Sequence, residues 1–169
     1  MASTRAERST KAACRRFTTL MVDLHARMGL PSPAASPPGQ GQSSAVELEW
    51  RQVRFRIEHE PVLDPASLVV QCFYGMPSQG RIQDVLMRLL EVNHVLAIKR
   101  AGATFGVDPE SGEAVYLFAG TLSDVTDASL FSALKLAACH ALHWRESFLL
   151  GDPFRVPSAG AEGPHVMHV

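Results

Sequence analysis

Residues 31–44 (PSPAASPPGQGQSS) hold four Pro, four Ser and two Gly and carry no charge. Proline removes backbone donors and the remaining side chains offer no apolar face, so neither a helix nor a strand can form there. The stretch reads as a flexible surface linker, long for a loop inside a compact domain. It divides two segments of different period. Before it, Ala13, Phe17, Leu20, Met21, Leu24 and Met28 recur at three- and four-residue spacings, which predicts a helix over residues 9–28. Gly29 supplies the left-handed residue that ends such a helix, Leu30 can fold back on its last turn, and Pro31 forbids continuation. After the linker the period drops to two. Val46, Leu48 and Trp50 alternate with Glu47 and Glu49; Val53, Phe55 and Ile57 alternate with Arg54, Arg56 and Glu58. The phase slips at Arg51-Gln52, where a tight turn or a bulge is required.

The remaining elements follow by the same reasoning. A proline-bracketed turn at residues 60–65 leads to a third, more continuously apolar strand at 67–73. Gly75-Met76-Pro77 breaks the sheet, and Ser78 is a fair N-cap for a helix carrying Ile82, Val85, Leu86, Leu89 and Leu90 and ending near Asn93. Strands at 103–107 and 113–118 flank Asp108-Pro109-Glu110-Ser111-Gly112, a hairpin turn. Thr126 or Asp127 opens a last helix through Leu130, Leu134, Ala137, Ala138, Ala141, Leu142, Phe148 and Leu149, closed by Gly151 and Pro153. The order α-β-β-β-α-β-β-α lacks the alternation and Gly-rich turns of a doubly wound nucleotide fold. It predicts the α+β class: an antiparallel sheet with three helices. One domain over residues 9–151 is expected, with flexible segments at 1–8 and 152–169.

With 16 Lys+Arg against 17 Asp+Glu, the chain carries a net charge of −1, which excludes bulk electrostatic attraction to nucleic acid as its main function. The start is locally basic: Arg5, Arg8, Lys11, Arg15 and Arg16 against Glu7 give +4 over residues 1–16. That suits either a solvated helix entry or a mitochondrial transit peptide. No apolar run approaches the ~18–20 residues that span a bilayer, so no membrane insertion is expected. Cys14, Cys72 and Cys139 form no zinc-like grouping and read as reduced thiols. His140 and His143 stand at i, i+3 beside Cys139, yet a metal site needs a third and usually a fourth ligand. Asp108, Glu110 and Glu113 crowd one turn without the spacing of a calcium loop. Nucleophile-elbow, phosphate-loop and dinucleotide motifs are all missing. No catalytic residue, metal or cofactor is expected.

The apolar residues outnumber what one small core needs, which points to pairing with another chain. Here a resemblance enters. Gly75-Met76-Pro77, the helix with Leu89-Leu90-Glu91-Val92-Asn93, Phe105-Gly106-Val107-Asp108 with its Gly112 turn, Val115-Tyr116-Leu117, and Thr121-Leu122 before a helix bearing Leu130, Ala141 and Trp144-Arg145 occur in a familiar order. The pattern resembles the type III secretion chaperones of the Tir chaperone (CesT) family over most of residues 10–150. The resemblance implies a homodimer in the bacterial cytoplasm. Its partner would be the N-terminal segment of a secreted effector, held non-globular and export-competent, with no ATP or metal. Carried over by position, Leu24, Leu48, Trp50, Phe55 and Ile57 become client-binding candidates, and Val85, Leu86 and Leu89 the two-fold seam. The near-neutral charge, the 31–44 linker and the tail depart from the family. Two alternatives stand beside it: an adaptor or regulator holding another bacterial protein, and a small metal-dependent enzyme using His140 and His143.

Overall fold

The computed structural model describes residues 2–33, 43–77 and 79–148, with only the backbone of 2–7. Most of the predicted linker, the predicted cap Ser78, Leu149 and the tail 152–169 lie outside the described residues. The elements are α1 (Ala2–Met28), β1 (Ser44–Trp50), β2 (Val53–His59), β3 (Ser67–Gly75), α2 (Ile82–Ile98), β4 (Ala103–Val107), β5 (Ala114–Thr121) and α3 (Asp127–Ser147). One short 3-10 turn, Gln79–Arg81, leads into α2. The α+β class and the predicted element order hold. Two helices are longer than their apolar stripes: α1 begins at Ala2 rather than residue 9, and α2 runs past Asn93 to Ile98.

All five strands join one sheet in the order β1-β2-β3-β5-β4, and every pairing is antiparallel. The slip at Arg51-Gln52 is a two-residue hairpin turn, with φ of 51° and 63°. Both residues are left-handed, which matches the right-handed twist of the flanking strands. Cross-strand register then sets the faces. Val46, Leu48 and Trp50 stand opposite Ile57, Phe55 and Val53, and Phe55 and Ile57 stand opposite Cys72 and Val70. This face turns toward α1 and α3 and forms the core, while Arg54, Arg56 and Glu58 point the other way.

Helix α1 buries Phe17, Leu20, Met21 and Leu24, the predicted stripe. Its end has the expected geometry: Gly29 adopts φ 68°, Leu30 N–H donates to His25 C=O at 2.9 Å and Gly29 N–H to Ala26 C=O at 3.2 Å. Polar bonds then pin the helices in place. Arg16 donates to the carbonyls of Leu122 and Ser123 at 2.5 and 2.6 Å, and Arg27 pairs with Asp127 at 2.5 Å. Thr126 caps α3 through a capping box with Ser129. At its other end Arg145 donates to Gln52 C=O at 2.8 Å and Tyr74 C=O at 2.9 Å. Tyr74 packs edge-on against both Phe105 and Trp144, so the aromatic core runs from β4 across to α3.

Helix α2 ends in the same hydrogen-bond pattern as α1, with Ala101 N–H on Leu96 C=O and Arg100 N–H on Ala97 C=O, but the left-handed residue is Arg100 at φ 49°. A non-glycine residue there costs roughly 1–2 kcal/mol, partly offset by glycine's greater freedom when unfolded. Arg100→Gly is therefore expected to raise stability by about 0.5–1 kcal/mol, read as a higher urea midpoint. A second expectation concerns pH. The hydrogen bond from Arg27 holds the Asp127 carboxyl below its ordinary range. A lowered carboxylate contributes stability above its unfolded value and loses it as pH falls through the folded one. The stability gap between the natural chain and Asp127→Asn should shrink as denaturation is repeated from about pH 7 to about pH 3.

Candidate functional site

Leu24, Phe55 and Ile57 are 0% exposed and Leu48 is 6% exposed, all within the monomer core. The structure thus places four of the five client-binding candidates in the core of the single chain. Period-two alternation separates the two faces of a strand but does not say which face a helix will cover. Side chains with no accessible surface have none to offer a partner. Phe55→Ala would cost about 3–5 kcal/mol, so weaker partner binding in such a variant would report lost folding. Trp50 differs. It is half-buried at the end of β1, edge-on to Phe131 of α3 with ring centres 5.7 Å apart. The Arg51 guanidinium lies over the Trp50 ring at 4.6 Å, and Lys135 lies over Phe131 at 4.9 Å.

The predicted seam residues also divide. Val85 and Leu89 are buried, whereas Leu86 is 39% exposed. Around Leu86 the sequence reading missed a larger apolar surface: Met76, Ile82, Met87, Leu90, Ile98 and Val107 are all exposed. Met76, Pro77, Ile82, Leu86 and Val107 line a shallow cavity of about 100 Å³ between α2 and the β4–β5 hairpin. A helix that is apolar over more than one stripe was the signal for this surface, because α2 touches the sheet mainly through β4 and can bury only one stripe.

The two edges of the sheet are chemically unequal. At the β4 edge, Asn93 of α2 accepts from Phe105 N–H at 2.7 Å and donates to Phe105 C=O at 2.9 Å. One primary amide thereby stands in for a neighbouring strand and closes that edge. Among the described residues, no strand lies beyond the β1 edge.

Among the described residues, no group of three or more His, Cys, Asp or Glu could hold a metal ion, and His140 and His143 are both exposed on α3. Burial pushes the Cys72 thiol up to about 12 and raises Tyr74 as well, so neither is an activated nucleophile. Asp108 accepts from both the Ser111 hydroxyl and backbone N–H, bonds that hold its carboxyl below the ordinary range and fix the hairpin turn. No helix among the described residues is long and apolar enough to cross a membrane.

No protein-family model matches the chain, and no curated protein matches it in sequence. Solved structures do match it in shape. The ExsC–ExsE complex aligns at a TM-score of 0.58 and 15% identity over 78% of this chain and 92% of that one. The HopA1–SchA chaperone–effector complex aligns at 0.55 and 14% identity, covering 78% and 94%. The Yersinia pestis type III secretion chaperone SycH, solved with a stable fragment of YscM2, aligns at 0.50 and 14%, covering 75% and 98%. This chain has the type III secretion chaperone fold. In this copy of the chaperone fold, the closed β4 edge depends on one side chain. Replacing Asn93 with Ala leaves the Phe105 N–H and C=O without that partner, at about 1–3 kcal/mol. Asn93→Ala should lower the denaturation midpoint and speed amide exchange at Phe105, while protection in the central strand β3 falls only by the loss of global stability.

Proposed function

We propose that this protein is a type III secretion chaperone of the bacterial cytoplasm, a binding protein that catalyses no reaction. It binds the N-terminal segment of a secreted effector and keeps it non-globular and ready for export. The observation that carries this reading is the open β1 edge in a fold whose solved examples hold a bound partner. An extended segment added to an edge gains main-chain hydrogen bonds while staying unfolded, which is what passage through a narrow channel requires. The exposed face of α2 supports the second part of the reading, a homodimer. Leu86, Met87, Leu90 and Ile98 present apolar area that a monomer leaves in water, and a two-fold contact through this face would cover it.

The test begins with capture of the tagged full-length protein from its own cells, followed by proteolysis of any complex. A larger protein protected only within its N-terminal segment, with two copies of this chain per client, is the expected result. A partner bound through a folded domain would instead make the chain an adaptor, and a solitary monomer would end the chaperone reading. For the seam, Leu89→Asp is a poor probe because Leu89 is 5% exposed and its loss would damage the core. Leu86→Asp combined with Leu90→Asp acts on exposed positions. Light scattering should find this variant monomeric with an unchanged circular dichroism spectrum; a persistent dimer would move the seam away from α2.

A further inference from the structure

We propose that the β1 edge reads the charge alternation of the segment added to it, selecting strands with carboxylates on one face and ammonium or guanidinium groups on the other. This rests on the chaperone reading and names the chemistry of the client at that edge. β1 separates charge by face. On the side facing α1 and α3, its end carries the corner of Trp50, Arg51, Phe131 and Lys135, two half-buried rings each beneath an exposed cation. On the opposite side, Glu47 and Glu49 are exposed. Among the described residues none of these four charges forms an ion pair; the pairs use Arg27, Arg54, Arg56 and Arg88. The cross-strand neighbours of Glu47 and Glu49 are Arg56 and Arg54, but Arg56 pairs with Glu58 and Arg54 with Glu113. The edge therefore presents unpaired cations toward the helices and unpaired carboxylates away from them.

A strand laid along β1 places successive side chains on opposite faces, so it meets these charges with period two. Carboxylates on the helix side meet Arg51 and Lys135, and an apolar side chain there rests on Trp50 and Phe131. Basic side chains on the other face meet Glu47 and Glu49. Opposite charges directly across a strand pair attract and like charges repel, so the alternation fixes register as well as preference. A one-residue slip exchanges the faces. The same pattern argues against a second copy as occupant. Two β1 strands paired antiparallel about an axis perpendicular to the sheet would bring Glu47 and Glu49 of one copy against those of the other.

The test uses full-length protein and two fluorescein-labelled decapeptides of identical composition. One alternates Glu and Lys around a central Val; the other has its Glu and Lys in two blocks. The natural protein should bind the alternating peptide about tenfold more tightly at low salt, with the preference fading near 1 M salt. Arg51→Glu with Lys135→Glu makes both faces acidic and should abolish the preference. Adding Glu47→Lys and Glu49→Lys reverses both faces, and the preference should return, because the peptide can shift by one residue. Rescue by the fourfold variant distinguishes a charge code from simple damage. Equal binding of the two peptides, no binding of either, or a preference that survives Arg51→Glu with Lys135→Glu would overturn the proposal. Its failure is separable from failure of the chaperone reading. If the double variant still captures an N-terminally bound client as the natural chain does, only the charge code falls. If the peptide preference holds but the natural chain captures no client, only the chaperone reading falls.

Discussion

One face of the five-stranded sheet is kept dry by α1 and α3, and the rest of the molecule is arranged around that burial. Phe55, Ile57, Val70 and Cys72 have no exposed surface, and Leu24, Leu134, Ala138 and Trp144 meet them from the helices. Burying one such apolar side chain is worth about 1.5–3 kcal/mol, so the helices cannot leave the sheet without losing most of the core at once. Their polar ties are placed accordingly. Arg16, Arg27 and Arg145 each reach partners more than 70 residues away in sequence and fix the two helices against sheet and loop.

That arrangement leaves no room for α2 on the covered face. The helix is pushed to the β4 side, where Val85 and Leu89 close the end of the core and Asn93 occupies the Phe105 backbone. Two consequences follow from the same displacement. The apolar side chains of α2 beyond that single stripe remain in water, and Asn93 occupies the β4 edge at Phe105. Both are features that the proposed chaperone role would use.

Much of this was legible beforehand. The switch from helical to alternating period on either side of residues 31–44, the slip at Arg51-Gln52 and the Gly29-Leu30-Pro31 stop each map to a feature of the structure. Local signals of this kind depend only on neighbours in sequence. The end of α2 was not legible for the same reason. Its left-handed cap is Arg100, a residue type that rarely takes this role. The burial of the predicted binding residues is informative in another way. Leu48, Phe55 and Ile57 look available in the sequence because alternation marks them as apolar, and availability depends on what packs above them.

The sequence by itself determined the elements, their order and the α+β class, because turn chemistry and hydrophobic period act over a few residues. The tertiary structure alone decided which apolar face is spent on the core, which stays exposed, and which strands form the sheet's edges. Those outcomes depend on contacts between residues distant in the chain, such as Asn93 with Phe105 and Trp50 with Phe131, whose meeting no local pattern encodes. Charge behaves likewise. Glu47 and Glu49 look compensated by the arginines of the next strand, until Glu58 and Glu113 engage those arginines and leave the edge carboxylates without an ion pair among the described residues.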